Sequence, residues 1–147
     1  MAHYAFLDEN NTVVEVIVGR DENEIIDGIS NWEEYYSEKR GLRCLRTSYN
    51  TAFNSHKNGG LPYRGNYAII GGFYDDEKDI FLPPKPYPSY ILDETILQWK
   101  APIDRPEIEG KSYVWDEESV SWYELPPMPD ASLAWQWNHE LKQWIEY

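Results

Sequence analysis

Four acidic side chains crowd residues 75–79, namely Asp75, Asp76, Glu77 and Asp79. Carboxylate oxygens are the ligands that calcium prefers, so a calcium loop is the chemistry that this cluster could support. The stretch lacks the spaced acidic ligands, the central glycine and the terminal glutamate of an EF-hand. Asp residues also favour turns, because their side chains bond to the nearby backbone. We therefore predict a solvated hairpin turn here and no metal site.

The other side chains with catalytic potential are isolated in the sequence. His3, His56 and His139 lie far apart, and none belongs to a pattern that sets two imidazoles on one helical face. Cys44 is the single cysteine, so it cannot form an intramolecular disulfide, and we expect it to be a small buried hydrophobe. The sequence has no nucleophile motif and no glycine-rich phosphate loop. We predict that the protein is not an enzyme and uses no cofactor.

The composition limits the classes of partner. The 147 residues carry 26 acidic against 13 basic side chains, a formal net charge of −13. Such a chain repels nucleic-acid phosphates and anionic membranes, so we expect no nucleic-acid partner. The longest apolar stretches, such as residues 12–18, are too short for membrane insertion, and the first residues do not resemble a secretory signal. We expect synthesis in a cytoplasm.

An aromatic repeat dominates the second half of the chain. Each copy has an aliphatic or aromatic residue, then Asp or Asn, then a bulky residue six positions further on. Clear copies run from Leu92-Asp93 to Trp99, from Trp115-Asp116 to Trp122 and from Trp137-Asn138 to Trp144, with looser copies at Tyr74-Asp75 to Phe81 and Leu7-Asp8 to Val14. The spacing predicts β-hairpins, because Asp and Asn begin turns and aromatic residues favour strands.

We predict that the turns are four-residue loops over residues 93–96, 116–119 and 138–141. This register sets one aromatic pair across each hairpin: Tyr90 with Trp99, Tyr113 with Trp122, and Trp135 with Trp144. Trp115 and Trp137 then share that face. The candidate interface or packing residues are Tyr90, Trp99, Tyr113, Trp115, Trp122, Trp135, Trp137 and Trp144.

The first half predicts a mixed α/β arrangement. Two β-prone runs flank the turn-rich residues 8–11, and a third strand is expected over residues 42–47. Ser30 stands three residues before Glu33, which predicts a capped helix that runs to about Arg40 and stops at Gly41. Residues 50–65 read as a long exposed loop, and residues 66–71 as a return to β structure.

Prolines divide the chain. Nine of the ten follow residue 82, in or beside the connectors between hairpins. We predict a β-dominated α+β fold: an antiparallel sheet with one short helix in residues 1–82, followed by a string of proline-linked aromatic β-hairpins in residues 83–147.

The chain resembles a group of small proteins encoded by tailed bacteriophages, notably those infecting cyanobacteria. The resemblance spans residues 1 to about 125. It lies in an ordered set of pieces: MAHYA at 1–5, LDENN at 7–11, residues 13–18, TSYN at 47–50, NYA at 66–68, YD at 74–75, FLPPKPYPS at 81–89, LDE at 92–94, WKAP at 99–102, YVWDE at 113–117 and SW at 121–122. The resemblance implies a virion component and supplies no catalytic residues.

The resulting functional expectation is a structural virion protein. It would be an accessory subunit on the capsid surface, as cement or decoration, or part of the tail and fibre apparatus, with other phage virion proteins as partners. A homo-oligomer is expected, since self-complementary surfaces usually form closed symmetric assemblies. Two alternatives stay open: a glycan-binding module for the host surface, and an assembly chaperone for fibres that is absent from the finished particle.

Overall fold

The computed structural model describes residues 2–147, which form two compact units, residues 2–102 and Ile103–Tyr147. Strands predominate and one short helix is present, so the predicted β-dominated α+β class is confirmed. The elements are β1 Ala2–Leu7, β2 Val13–Gly19, α1 Trp32–Arg40, β3 Arg43–Thr47, β4 Thr51–Ala52, β5 Ser55–His56, β6 Phe73–Asp75, β7 Ile80–Leu82, β8 Ile91–Asp93, β9 Gln98–Lys100, β10 Tyr113–Asp116, β11 Ser121–Glu124, β12 Trp135–Asn138 and β13 Gln143–Glu146.

An antiparallel sheet of order β2-β1-β3 organises the first unit. Side chains of β1 alternate between its two faces, and both faces are covered. Tyr4 and Phe6 pack with Trp32 of the helix on one face. Ala5 and Leu7 pack in a second cluster with Val13, Ala68, Tyr74 and Phe81 on the other. β1 therefore carries nearly continuous burial, as expected of a central strand.

The helix ends where the sequence predicts but begins one residue later. Gly41 stops it in the left-handed conformation, with φ 71°. The N-cap is Asn31 instead of Ser30, and its side chain accepts a hydrogen bond from the Glu34 amide at 3.2 Å. Glu33 does not take the capping role that the sequence suggested, because its carboxylate accepts a hydrogen bond from the Arg46 amide in β3.

The β8–β9 hairpin belongs to the first unit, so the structure divides after Pro102 rather than after Leu82. Leu97, in the turn of this hairpin, is buried against Ile80 and Leu82. The side-chain amide of buried Asn66 donates to the carbonyls of Phe81 and Leu97, which ties two successive hairpins together. These contacts join residues far apart in sequence.

Residues 66–71 do not form the expected strand. Their backbone groups bond outside any ladder: the Tyr67 amide donates to the Thr51 carbonyl and the Ala68 amide donates to the Thr47 hydroxyl. The loop expected over residues 50–65 is mostly exposed but contains the short β4–β5 pair.

Candidate functional site: the aromatic hairpins

Four hairpins, β6–β7, β8–β9, β10–β11 and β12–β13, share one turn. The residue just before the second strand has positive φ in each: Asp79 at 53°, Leu97 at 52°, Val120 at 50° and Lys142 at 50°. The Asp or Asn of the repeat caps the turn with its side chain. For example, Asp93 Oδ1 accepts from the Thr95 amide at 3.0 Å, and Asn138 Oδ1 accepts from the Leu141 amide at 2.8 Å. This local bonding explains the repeat's invariable Asp or Asn.

The expected strand register is wrong. Each loop begins and ends one residue later than predicted, so the partner of a given first-strand residue lies two residues further along the second strand. The Asp or Asn remains in the ladder, opposite Gln98, Ser121 or Gln143, and the loop ends one residue later at the positive-φ residue. Tyr113 consequently faces Glu124 and Trp135 faces Glu146, instead of Trp122 and Trp144. Tyr90 lies outside β8 and packs on the Tyr87 ring, with centroids 5.1 Å apart.

In these four hairpins the observed register pairs the two residues that define the repeat, whereas in the fifth copy Leu7 pairs with Val13 and not with Val14. The four pairs are Tyr74 with Phe81, Leu92 with Trp99, Trp115 with Trp122, and Trp137 with Trp144. Both Trp–Trp pairs are edge-to-face, with centroids 5.3 Å apart and interplanar angles of 71° and 72°. Such pairs contribute roughly 0.5 to 1.5 kcal/mol beyond burial. The spacing of the repeat therefore reflects the contact between these two residues across the hairpin.

In the last three hairpins, β8–β9, β10–β11 and β12–β13, the second-strand Trp also holds the segment that precedes the hairpin. Its indole N–H donates to a backbone carbonyl: Trp99 to Pro83 at 2.7 Å, Trp122 to Ile103 at 2.8 Å and Trp144 to Pro126 at 2.9 Å. A cation lies over two of these rings, Lys85 over Trp99 and Arg105 over Trp122. The recurrence of a Trp at 16 to 19 residues after these carbonyls is a sequence signal that could have revealed the device.

We expect Trp122→Phe to test this fastening. Phenylalanine keeps a ring opposite Trp115 but cannot donate to the Ile103 carbonyl, so the free energy of unfolding of the second unit should fall by about 1 kcal/mol. Trp122→Ala, which also removes the ring contact, should cost about 2 kcal/mol or more. Urea unfolding followed by residue-resolved NMR measures both. An unchanged stability in Trp122→Phe would contradict the proposed role of the hydrogen bond.

The candidate rings are only partly covered. Trp115 is 3% exposed and is the one buried residue of Ile103–Tyr147, a unit that the structure describes throughout. Tyr113, Trp122, Trp135, Trp137 and Trp144 are half-buried. Trp99 is half-buried in the first unit, against the cluster of Ile80, Leu82 and Leu97. The structure therefore distributes the predicted residues over three hairpins and does not gather them into one cavity.

Tyr123 is a central residue that the sequence reasoning missed. Its hydroxyl accepts from the Trp137 indole at 2.8 Å and lies 3.1 Å from His139 Nδ1, while the Lys142 ammonium sits over its ring. These contacts join β11 to the last hairpin. Tyr123 follows Trp122, so strand alternation places it on the face that was expected to be mixed or polar.

A polar cleft of about 530 Å³ lies in the first unit. Its walls include His3, which stacks on Tyr49 at 5.6 Å, and Arg46, which lies over the Tyr63 ring at 4.1 Å. Asp21 is also part of the lining, and Tyr49 is 62% exposed. The combination of rings, hydroxyls and charged groups suits a polar ligand rich in hydroxyl groups.

The acidic cluster at residues 75–79 is a hairpin turn. Asp75 caps it by accepting from the Glu77 amide, and Asp76 pairs with Arg43 at 2.7 Å. Asp79 forms an ion pair with Arg64 at 2.9 Å. Across residues 2–147, no group of three His, Cys, Asp or Glu side chains is placed to hold a metal ion.

Cys44 is buried, as the sequence predicts. Burial is the larger cause and the nearby Glu33 carboxylate the smaller one that together raise the pKa of its thiol to about 12. The thiol is therefore un-ionised at neutral pH and is poorly suited to act as a nucleophile.

Comparison with known proteins gives no relative: no family model, no curated protein and no solved structure matches this chain. Within the described residues, the helix is too short and too polar to cross a membrane.

Proposed function

We propose that this chain is a non-enzymatic structural component of a tailed-phage virion, an accessory subunit on the capsid or in the tail and fibre apparatus, made in the host cytoplasm. The observation that carries the proposal is the near absence of a core in Ile103–Tyr147, where Trp115 alone is buried among the described residues. Two-stranded hairpins are marginal in water and gain stability when another surface covers them.

The exposed parts of these hairpins have the character of an interface. Trp and Tyr dominate binding surfaces because they bury a large area with few rotatable bonds. The indole hydrogen bonds of Trp122 and Trp144 hold the rings in place before any partner binds, which lowers the entropy cost of association. The hairpins are therefore suited to dock on a neighbouring subunit.

Charge indicates what kind of neighbour fits. Ile103–Tyr147 contains ten acidic residues and three basic ones, Arg105, Lys111 and Lys142. A basic surface on the neighbouring virion protein would complement this unit and would disfavour wrong partners. The same negative charge repels the phosphates of nucleic acid and disfavours it as a partner.

Mass spectrometry of gradient-purified virions tests this proposal. The chain should be present at a stoichiometric, symmetry-related copy number relative to the major capsid or tail proteins. A chain that is abundant in the infected-cell lysate but missing from purified virions would overturn it in favour of the fibre-assembly chaperone.

A second candidate function, contact with a host glycan, has support from the polar cleft. Tyr49 and Tyr63 offer ring edges and hydroxyls, and Asp21 and His56 offer hydrogen-bonding groups to sugar hydroxyls. Titration with host cell-wall glycans, followed by NMR shifts of residues around Tyr49, tests this function. Shifts that vanish in Tyr49→Ala would support it, and no shifts at millimolar glycan would exclude it.

A further inference from the structure

The two outer edges of the β2-β1-β3 sheet are treated differently. On β3, the Arg46 amide donates to Glu33 at 2.9 Å, and the Arg46 carbonyl accepts from Arg64 at 2.8 Å. Charged side chains thus occupy the backbone groups that another strand would need. This is a common way to block an edge.

On the outer edge of β2, only the first residue has its outward backbone groups bonded to another part of the chain. Val13 exchanges backbone hydrogen bonds with Gly71 and Gly72, and no strand lies outside β2 in the described part of the chain. The N–H and C=O groups of Arg46 point away from β1, so Arg46 and Tyr4 form a pair without mutual hydrogen bonds. The N–H and C=O groups of Tyr4 therefore point to the other side, toward Ile17 of β2. The alternation along β2 then points the N–H and C=O groups of Val16 and Val18 away from the sheet.

The side chains along this edge are mostly aliphatic. Val14 is 41% exposed, Val18 is 58% exposed, and Ile70, next to the segment that covers Val13, is 67% exposed. β2 contains no Lys or Pro. Its one charge, Glu15, is paired with Arg40 at 2.9 Å. A long apolar edge without these protective residues is a template for strand addition.

We propose that β2 pairs with β2 of a second copy of this chain, antiparallel about a two-fold axis through Ile17. In this register Val16 faces Val18 of the second copy, so the outward N–H and C=O groups of both residues are all used. Glu15 faces Gly19 and Val14 faces Arg20, so no like charges oppose each other. The strand of the second copy ends at Gly19, opposite Glu15. It therefore stops before Val13, whose outward backbone groups already bond to Gly71 and Gly72.

The result is a continuous sheet in the order β3-β1-β2-β2-β1-β3, with both outer edges blocked at Arg46. This arrangement goes beyond the proposed virion role, because it concerns the first unit and can form in solution. Two chains of charge −13 repel each other, so the dimer should tighten as salt screens the repulsion.

Val18→Pro tests the pairing on the full-length chain. Proline removes an outward N–H that the fold itself does not use, and edge strands tolerate it there. Val18→Thr is the matched control, since it keeps the N–H and the β-branched shape. Sedimentation equilibrium should give twice the 17.4 kDa chain mass for the native protein and Val18→Thr, and a rise in dimer Kd of at least about tenfold for Val18→Pro.

Amide exchange of the native protein keeps the test decisive if Val18→Pro fails to fold. The Val16 and Val18 amides should exchange more slowly in concentrated than in dilute samples. A native protein that stays monomeric at about 100 µM, a Val18→Pro dimer of unchanged affinity, or concentration-independent exchange at these amides would each overturn the proposal.

Discussion

Trp115→Ala is expected to unfold the Ile103–Tyr147 unit and to leave the first unit, residues 2–102, folded. Trp115 is the one buried side chain of the second unit, and its ring packs edge-on against Trp122 at 5.3 Å. Truncation of a buried Trp costs about 3 to 5 kcal/mol, and a unit with no other buried residue cannot repack around the loss. Both hairpins of the unit should therefore lose their ordered structure.

Residue-resolved NMR measures this result directly. The amide signals of residues 103–147 should collapse to the narrow shift range of an unfolded chain, while those of residues 2–102 keep their positions. Trp135→Ala is the matched control, because Trp135 is half-buried and faces Glu146; its loss should cost less than about 1.5 kcal/mol. Retention of dispersed signals in Trp115→Ala would show that the unit does not depend on this ring.

Asn66→Asp is expected to destabilise the first unit by about 4 kcal/mol. The Asn66 side chain is buried, donates to the Phe81 and Leu97 carbonyls at 2.9 and 3.0 Å, and accepts from the Phe53 amide at 2.9 Å. A carboxylate has nearly the same volume but cannot donate while ionised. Two carbonyls would then lose their partner and face a negative charge, at about 1 to 3 kcal/mol for each unsatisfied group.

Denaturant unfolding of the first unit measures the loss, and Asn66→Ala separates the two contributions. Alanine loses the two donated bonds and also the bond from the Phe53 amide, but it buries no charge, so a larger loss for aspartate than for alanine isolates the cost of the charge. Asn58→Ala, on the exposed loop, is the control and should change stability by less than about 0.5 kcal/mol. The account of Asn66 as the bridge between two hairpins fails if Asn66→Asp is within about 1 kcal/mol of the native protein.

Local rules predicted the elements whose signals lie in neighbouring residues. The first hairpin follows from β-prone runs around a turn, and Gly41 ends the helix because glycine tolerates the left-handed conformation. The Asp and Asn residues of the repeat mark the turns because their side chains cap the backbone. These rules need no knowledge of tertiary contacts.

The strand register was predicted wrongly because the residue types at the left-handed turn position do not indicate that conformation. The left-handed turn position is held by Leu97, Val120 and Lys142, which are residue types that sequence reasoning places in strands or helices. A glycine or asparagine there would have indicated that the turn extends to this position. The pairing of the two repeat-defining residues, such as Trp115 with Trp122, was therefore assigned to the wrong partners.

The division after Pro102 and the polar cleft depend on long-range contacts. Asn66 reaches Leu97 across 31 positions, and this bond is not visible in any local pattern. The cleft brings His3 close to Tyr49 only because β1 and β3 are neighbours in the sheet. The open edge of β2 likewise follows from strand order, which the sequence alone left unspecified.

Hydrogen exchange of β10–β13 in intact virions, compared with the free chain, tests most directly whether the aromatic hairpins dock on a neighbouring subunit. We predict that the amides of these four strands exchange at least about tenfold more slowly in the particle, because a partner surface covers the half-buried rings. Equal exchange rates in the particle and in the free chain would contradict the docking role of these hairpins.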